Sequence, residues 1–91
     1  MEKSQHTSEY RRLIQALRQA REQAGLTQEQ VAQQLEVYAS FVSKCERGER
    51  RLDVVEVWSF CKALEIPFMN FARGLDTSLR RKQFSRGPKQ G

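Results

Sequence analysis

In 91 residues there are one histidine, two cysteines and no apolar run approaching the length of a bilayer span. Each scarcity argues against a class of function. His6 lies in a polar start, no nucleophile has an evident base, and no glycine-rich loop is present to cradle a phosphate, so an enzyme is not expected. Cys45 and Cys61 form no C-x-x-C pair and no Cys/His cluster, so neither a metal nor any other cofactor is expected. Both cysteines fall at apolar positions of predicted helices, where core packing is the favoured reading and a disulfide or redox sensor the lesser one. The stretch Met1 to Ser8 lacks the apolar segment of a signal peptide. The expectation is a soluble, cytoplasmic protein with no membrane partner.

The chain has sixteen basic and eleven acidic side chains, a formal charge of +5. Five of the bases, Arg80, Arg81, Lys82, Arg86 and Lys89, lie in the last twelve residues with no acid among them. Net charge therefore describes a basic tail, and any case for nucleic acid rests on where the remaining charges point. The tail RRKQFSRGPKQG has little to bury and reads as disordered, suited at most to nonspecific phosphate contact. The expected organisation is a flexible start at 1–8, one domain at 9–79 and a disordered basic tail at 80–91. A helical core of this size is marginal without good packing or a partner subunit, which favours a dimer.

Apolar spacing predicts helices throughout. The first covers Glu9 to Ala24, with Leu13, Leu17, Ala20 and Ala24 on one stripe, Ile14 beside it, and Gly25 at its end. Thr27 and Gln30 make a capping box that starts a second helix near Gln28, whose narrow buried face is Val31, Ala32 and Leu35. The pattern breaks at Glu36-Val37-Tyr38 and resumes with Val42 and Cys45, giving a helix from Ala39 to Arg47 closed by Gly48. Asp53 and Glu56 start another helix that reaches about Glu65, with Val54, Val57, Trp58, Cys61 and Leu64 at core spacing. Pro67 suits the first turn of a short last helix, Phe68 to Arg73, stopped by Gly74. The fold class is all-α, with five helices.

Residues 27 to 48, TQEQVAQQLEVYASFVSKCERG, resemble the helix-turn-helix unit of Cro and repressor type (XRE-like) regulators. The small residue of that unit falls on Ala32 and its apolar positions on Val31, Leu35, Val37, Val42 and Cys45, while Ser43 to Gly48 supplies the S-K-x-E-R-G ending. The likeness extends from Leu17 to Phe68. It implies a compact five-helix repressor-like DNA-binding domain with flexible termini. Two residues depart from the pattern. Glu36 stands at the usual turn glycine, at a cost on the order of 1 kcal/mol if left-handed. Tyr38 stands at the usual Ser, Thr or Asp cap, so the cap oxygen is lost and a ring either meets sugar and phosphate or packs locally.

In such a unit the second helix lies in the major groove and the first crosses the backbone. The resemblance makes Ala39, Ser40 and Lys44 the base-reading positions: a methyl contact to thymine, a hydroxyl of broad pairing, and an ammonium for guanine. Gln28, with Thr27 at the same helix start, would face a phosphate. Tyr38, Phe41 and Ser43 fall at the groove wall or backbone, and Arg47, Arg50 and Arg51 flank Gly48 where phosphates pass. Glu46 is expected to be structural, through Arg18 or a backbone amide. Phe68, Met69, Phe71 and Leu75 form an apolar cluster larger than a short terminal helix needs, which either packs under the first helix or is the candidate dimer interface, with a ligand surface as the lesser alternative. The expected function is a small dimeric regulator, a repressor, reading an inverted-repeat operator on double-stranded DNA. The alternatives are an antitoxin with a tight protein partner, a restriction-modification controller, or a protein-binding adaptor that does not read DNA.

Overall fold

Four left-handed residues, Gly25, Glu36, Gly48 and Glu65, separate the five helices at three of their four corners and close the third helix at the remaining one. The computed structural model describes residues 7–86, and side chains through residue 81. Its helices are α1 (Ser8–Gln23), α2 (Gln28–Leu35), α3 (Ala39–Glu46), α4 (Val54–Ala63) and α5 (Phe68–Arg86), with no strand among the described residues. Each of the first four ends the same way. The amide after the left-handed residue reaches back five positions, as Val37 does to the Ala32 carbonyl at 3.0 Å and Ile66 to that of Cys61 at 3.0 Å.

The starts follow the sequence closely. Thr27 accepts from the Gln30 amide at 3.0 Å while its own amide donates to Gln30 Oε1 at 2.8 Å, and Asp53 and Glu56 form the same reciprocal pair. Thr7 caps α1 by accepting from the Tyr10 amide. These caps fix where α1, α2 and α4 begin, so the short α2 needs only its packing to hold it.

Val31, Val42, Cys45 and Cys61 are wholly buried at the centre, with Leu17, Ala32, Leu52, Val57, Phe60 and Leu64 around them. The α2–α3 pair packs as a unit, braced by α1 on one side and α4 on the other, while α5 closes over α1 and α4. Gly48 is required twice: its backbone is left-handed, and a Cβ there would stand 3.2 Å from Ile14 Cδ1.

The structure corrects four sequence readings. On α1 the buried residues are Tyr10, Ile14 and Leu17, with Leu13 half-buried and Ala24 exposed, because Tyr10 turns inward to accept the Leu52 amide at 2.9 Å through its hydroxyl. On α4 the core stripe is Val57, Phe60, Cys61 and Leu64. Trp58, expected in the core, is 48% exposed, since choosing Phe60 rotates the stripe away from it, and Val54, expected there too, is exposed at the first position of the helix. The last helix is not stopped by Gly74: α5 runs through it to Arg86. A mid-helix glycine costs about 1 kcal/mol, which Phe71 packing on the core, the Arg12–Ser78 hydrogen bond and the Asp76–Arg80 pair offset. Residues 80–86, expected as part of a disordered tail, are therefore helical. The rest of that tail, 87–91, and residues 1–6 of the expected flexible start lie outside the described residues.

Candidate nucleic-acid interface

The α2–α3 turn spends three residues, Glu36 to Tyr38. Glu36 is left-handed (φ 60, ψ 45), so the glycine conformation is kept without glycine. Val37 then packs on the core and Tyr38 enters α3 in extended backbone. No side chain caps α3, and Tyr38 is 85% exposed, so its ring does not pack locally. The free amides at the start of α3 and the tyrosine ring form one solvent-facing edge.

Val42 and Cys45 bury the inner face of α3. The outer face presents Ser40 and Lys44, both exposed, with Ala39 and Ser43 half-buried at its margins. Phe41 is half-buried against the core, and the Arg50 guanidinium lies 5.1 Å over its ring. Of the base-reading candidates, Ser40 and Lys44 thus share the exposed face of α3, while Ala39 packs partly against the core at its margin. The Lys44 ammonium makes no hydrogen bond or ion pair among the described residues, and its charge helps lower the Glu49 pKa.

The flanking arginines are more engaged than their sequence suggests. Arg47 is paired with Glu49 at 3.0 Å and donates to Ser43 Oγ at 2.6 Å. That pairing raises the Arg47 pKa and lowers that of Glu49. Arg50 pairs with Glu56 at 2.7 Å and donates to the Arg51 carbonyl. Arg51 stacks over Tyr10 at 4.5 Å. All three remain exposed, and their surface pairs are weak enough for a phosphate to displace.

Gln28 stands at the N-terminus of α2 and donates from Nε2 to Glu46 Oε1 at 2.9 Å. Glu46 is structural, as the resemblance implied, but its cation is Arg21. Arg18 instead pairs with Glu22 along α1 at 3.1 Å. Arg21 also donates to the Leu26 carbonyl at 2.9 Å, tying α1, the α1–α2 corner and α3 to one guanidinium, while Gln28 brings α2 to the same carboxylate. Its hydrogen bonds to Glu46 raise its pKa above the ordinary value, against the opposing effect of burial. Sequence reasoning missed Arg21 by grouping it with Arg18; its place four residues after Leu17 and seven after Ile14, on the buried row of α1, was the available signal.

Of the proposed interface residues, Phe68 and Phe71 pack against the core and Leu75 is half-buried, which leaves Met69 at 70% exposure. An apolar face was missed on α4: Val54 and Val55 are exposed beside Trp58, whose ring lies 5.5 Å from Lys62 Nζ. No helix among the described residues is long and apolar enough to cross a membrane, and no cluster of potential metal ligands occurs among them.

Residues 12–67 match the helix-turn-helix domain family. No curated protein matches the chain. Among solved structures, an XRE-family like protein from Pseudomonas syringae pv. tomato str. DC3000 superposes with a TM-score of 0.76 at 38% identity, over 85% of this chain and 94% of that one. The clp gene regulator ClgR from Corynebacterium glutamicum gives 0.62 at 23% identity over 88% and 89%, a likeness of fold. The family match spans more than half the chain and coincides with the α2–α3 geometry. The chain belongs to the XRE-like family of helix-turn-helix DNA-binding transcription regulators.

Proposed function

We propose that this protein is a sequence-specific dimeric repressor that lays α3 in the major groove of an inverted-repeat operator. The observation that carries the reading is the outer face of α3, where Ser40 and Lys44 stand exposed beside an uncapped helix start. Lys44 suits the two acceptors of guanine, Ser40 pairs with several bases, and Ala39 suits a thymine methyl. Gln28 has two amide hydrogens; one is held by Glu46, which fixes the side chain so that the other can meet a phosphate. Thr27, Tyr38, Phe41, Ser43, Arg47, Arg50 and Arg51 line the groove edge and backbone. A lone module of this size buries too little surface for tight specific binding. The apolar face of Val54, Val55 and Trp58, with Met69, supplies the candidate for pairing two copies, and reading helices one turn apart, roughly 34 Å, would match the repeat.

Selection of bound duplexes from a random-sequence pool, sequenced at two salt concentrations, tests the reading. Enrichment of an inverted repeat at both is expected. Binding without enrichment that vanishes at the higher salt would overturn it.

A further inference from the structure

Away from α3, a groove runs along the seam of α1 and α5. The helices lie side by side in opposite directions, with Arg12 Nη1 bonded to Ser78 Oγ at 2.8 Å near one end and Ala24 sharing the wall with Ile66 at the other. Twelve residues of α1 span roughly 18 Å at helical rise. The groove holds about 690 Å³ and opens into a recess of about 710 Å³, the two sharing Arg12, Asn70, Gly74 and Ser78.

The two halves differ in chemistry. The recess is lined by Arg12, Arg73 and Arg81 with Asn70, Thr77 and Ser78, and by no carboxylate. Arg12 and Arg73 bond to neutral partners, Ser78 and Asn70, and Arg81 has no ion pair among the described residues. At 3.6 residues per turn, positions 70, 73, 74, 77, 78 and 81 fall in one arc of α5. Asp76 lies outside that arc and is taken up by Arg80 at 3.0 Å. The longer half is walled by Ala16, Ala20, Phe71 and Leu75, with Gln15, Gln19 and Gln23 along its α1 side, and its one carboxylate, Glu65, is beside Ile66.

Gly74 sits between the halves. It occupies the middle of a helix, where glycine is unfavourable, yet neither a turn nor a close neighbour requires it: a Cβ there would meet nothing within 4 Å. What glycine does at this position is keep the groove open where it joins the recess.

We propose that the α1/α5 groove binds a small amphipathic anion, its phosphate or carboxylate held by Arg12, Arg73 and Arg81 and its apolar part lying past Gly74 against Phe71 and Leu75. Planar guanidinium forks suit such a head group, and the flanking hydroxyls and amide complete its donors. The site is separate from the reading helix, so its occupancy is read without DNA.

The test is amide chemical-shift titration of the full chain with hexyl phosphate, inorganic phosphate and hexanol. Hexyl phosphate should shift the amides of Gln15, Gln19, Gly74 and Ser78 saturably, with inorganic phosphate weaker and hexanol weakest. Gly74→Leu fills the groove with a better helix former, and Arg73→Gln with Arg81→Gln removes charge without bulk. Each should weaken hexyl phosphate about tenfold or more. Absence of saturable shifts, shifts confined to α2 and α3, or unchanged affinity in Gly74→Leu would overturn the proposal.

Discussion

Arg21 and Glu46 face each other through two parallel hydrogen bonds, Nε to Oε2 at 2.7 Å and Nη2 to Oε1 at 3.0 Å, joining α1 to the end of α3. Their side chains are only 12% and 6% exposed, so the pair is shielded from water and from salt. Removing one partner strands the other. Glu46→Ala should lower unfolding free energy by about 3 kcal/mol, measured by urea titration. The same variant releases Gln28, so DNA affinity should fall even where the domain remains folded. A midpoint unchanged from the parent would show that the pair adds nothing to stability.

Glu36 and Glu65 both hold φ near 60 where glycine is preferred. Glu36→Gly and Glu65→Gly should each raise stability by roughly 0.5–1 kcal/mol, through relief of backbone strain partly offset by a freer unfolded chain. Thermal unfolding of the two single variants checks this. A lower melting temperature in both would mean that the carboxylates contribute contacts outweighing the strain.

Lys44 and Arg50 should separate by type of contact. Lys44→Ala is expected to reduce discrimination between operator and mismatched sites by about 1–3 kcal/mol, as loss of a base contact does. Arg50→Ala should weaken all sites alike and reduce the salt slope by about one. Binding titrations on matched and mismatched duplexes over a salt series decide the matter, and the reverse pattern would exchange the two roles.

Trp58 is half exposed beside exposed Val54 and Val55. Trp58→Glu should leave the helical circular dichroism intact while shifting sedimentation from dimer to monomer. Met69→Glu is the comparison on α5. Should neither alter the sedimentation of a dimeric parent, the pairing surface lies elsewhere.

The two thiols carry a pH dependence. Burial pushes Cys45 and Cys61 from an ordinary value of 9.0 up to about 11. Because the folded state keeps its protons longer than the unfolded chain, this contribution is full below pH 9 and is lost as pH rises towards 11. Urea titrations at pH 8 and pH 10.5 should show the parent losing more stability than a Cys45→Ala/Cys61→Ala double variant. At pH 8 the native thiols should also resist iodoacetamide until the protein unfolds.

The local boundaries were legible in the sequence because they are local chemistry. Thr27 with Gln30 and Asp53 with Glu56 satisfy helix-start amides within four residues, and Gly25 and Gly48 supply left-handed corners, so α2, α3 and the turn between them could be placed from spacing. Cys45, Cys61, Val31, Val42 and Val57 followed from three- and four-residue periodicity, whereas Val54, at the same spacing, is exposed. Choices between near-equivalent faces and distant partners were settled only in three dimensions. Trp58 and Phe60 both fit an apolar stripe, and packing against α2 and α5 selected Phe60. Arg21 continues the Tyr10-Ile14-Leu17 row where Arg18 does not, but only the approach of α3 to α1 showed that its partner is Glu46. Gly74 is a helix stop by propensity, a preference of about 1 kcal/mol, and the anchoring of α5 on α1 carried the helix through it. Caps and turns are decided by atoms a few residues apart; helix faces, ion partners and grooves depend on which segments the folded core brings together.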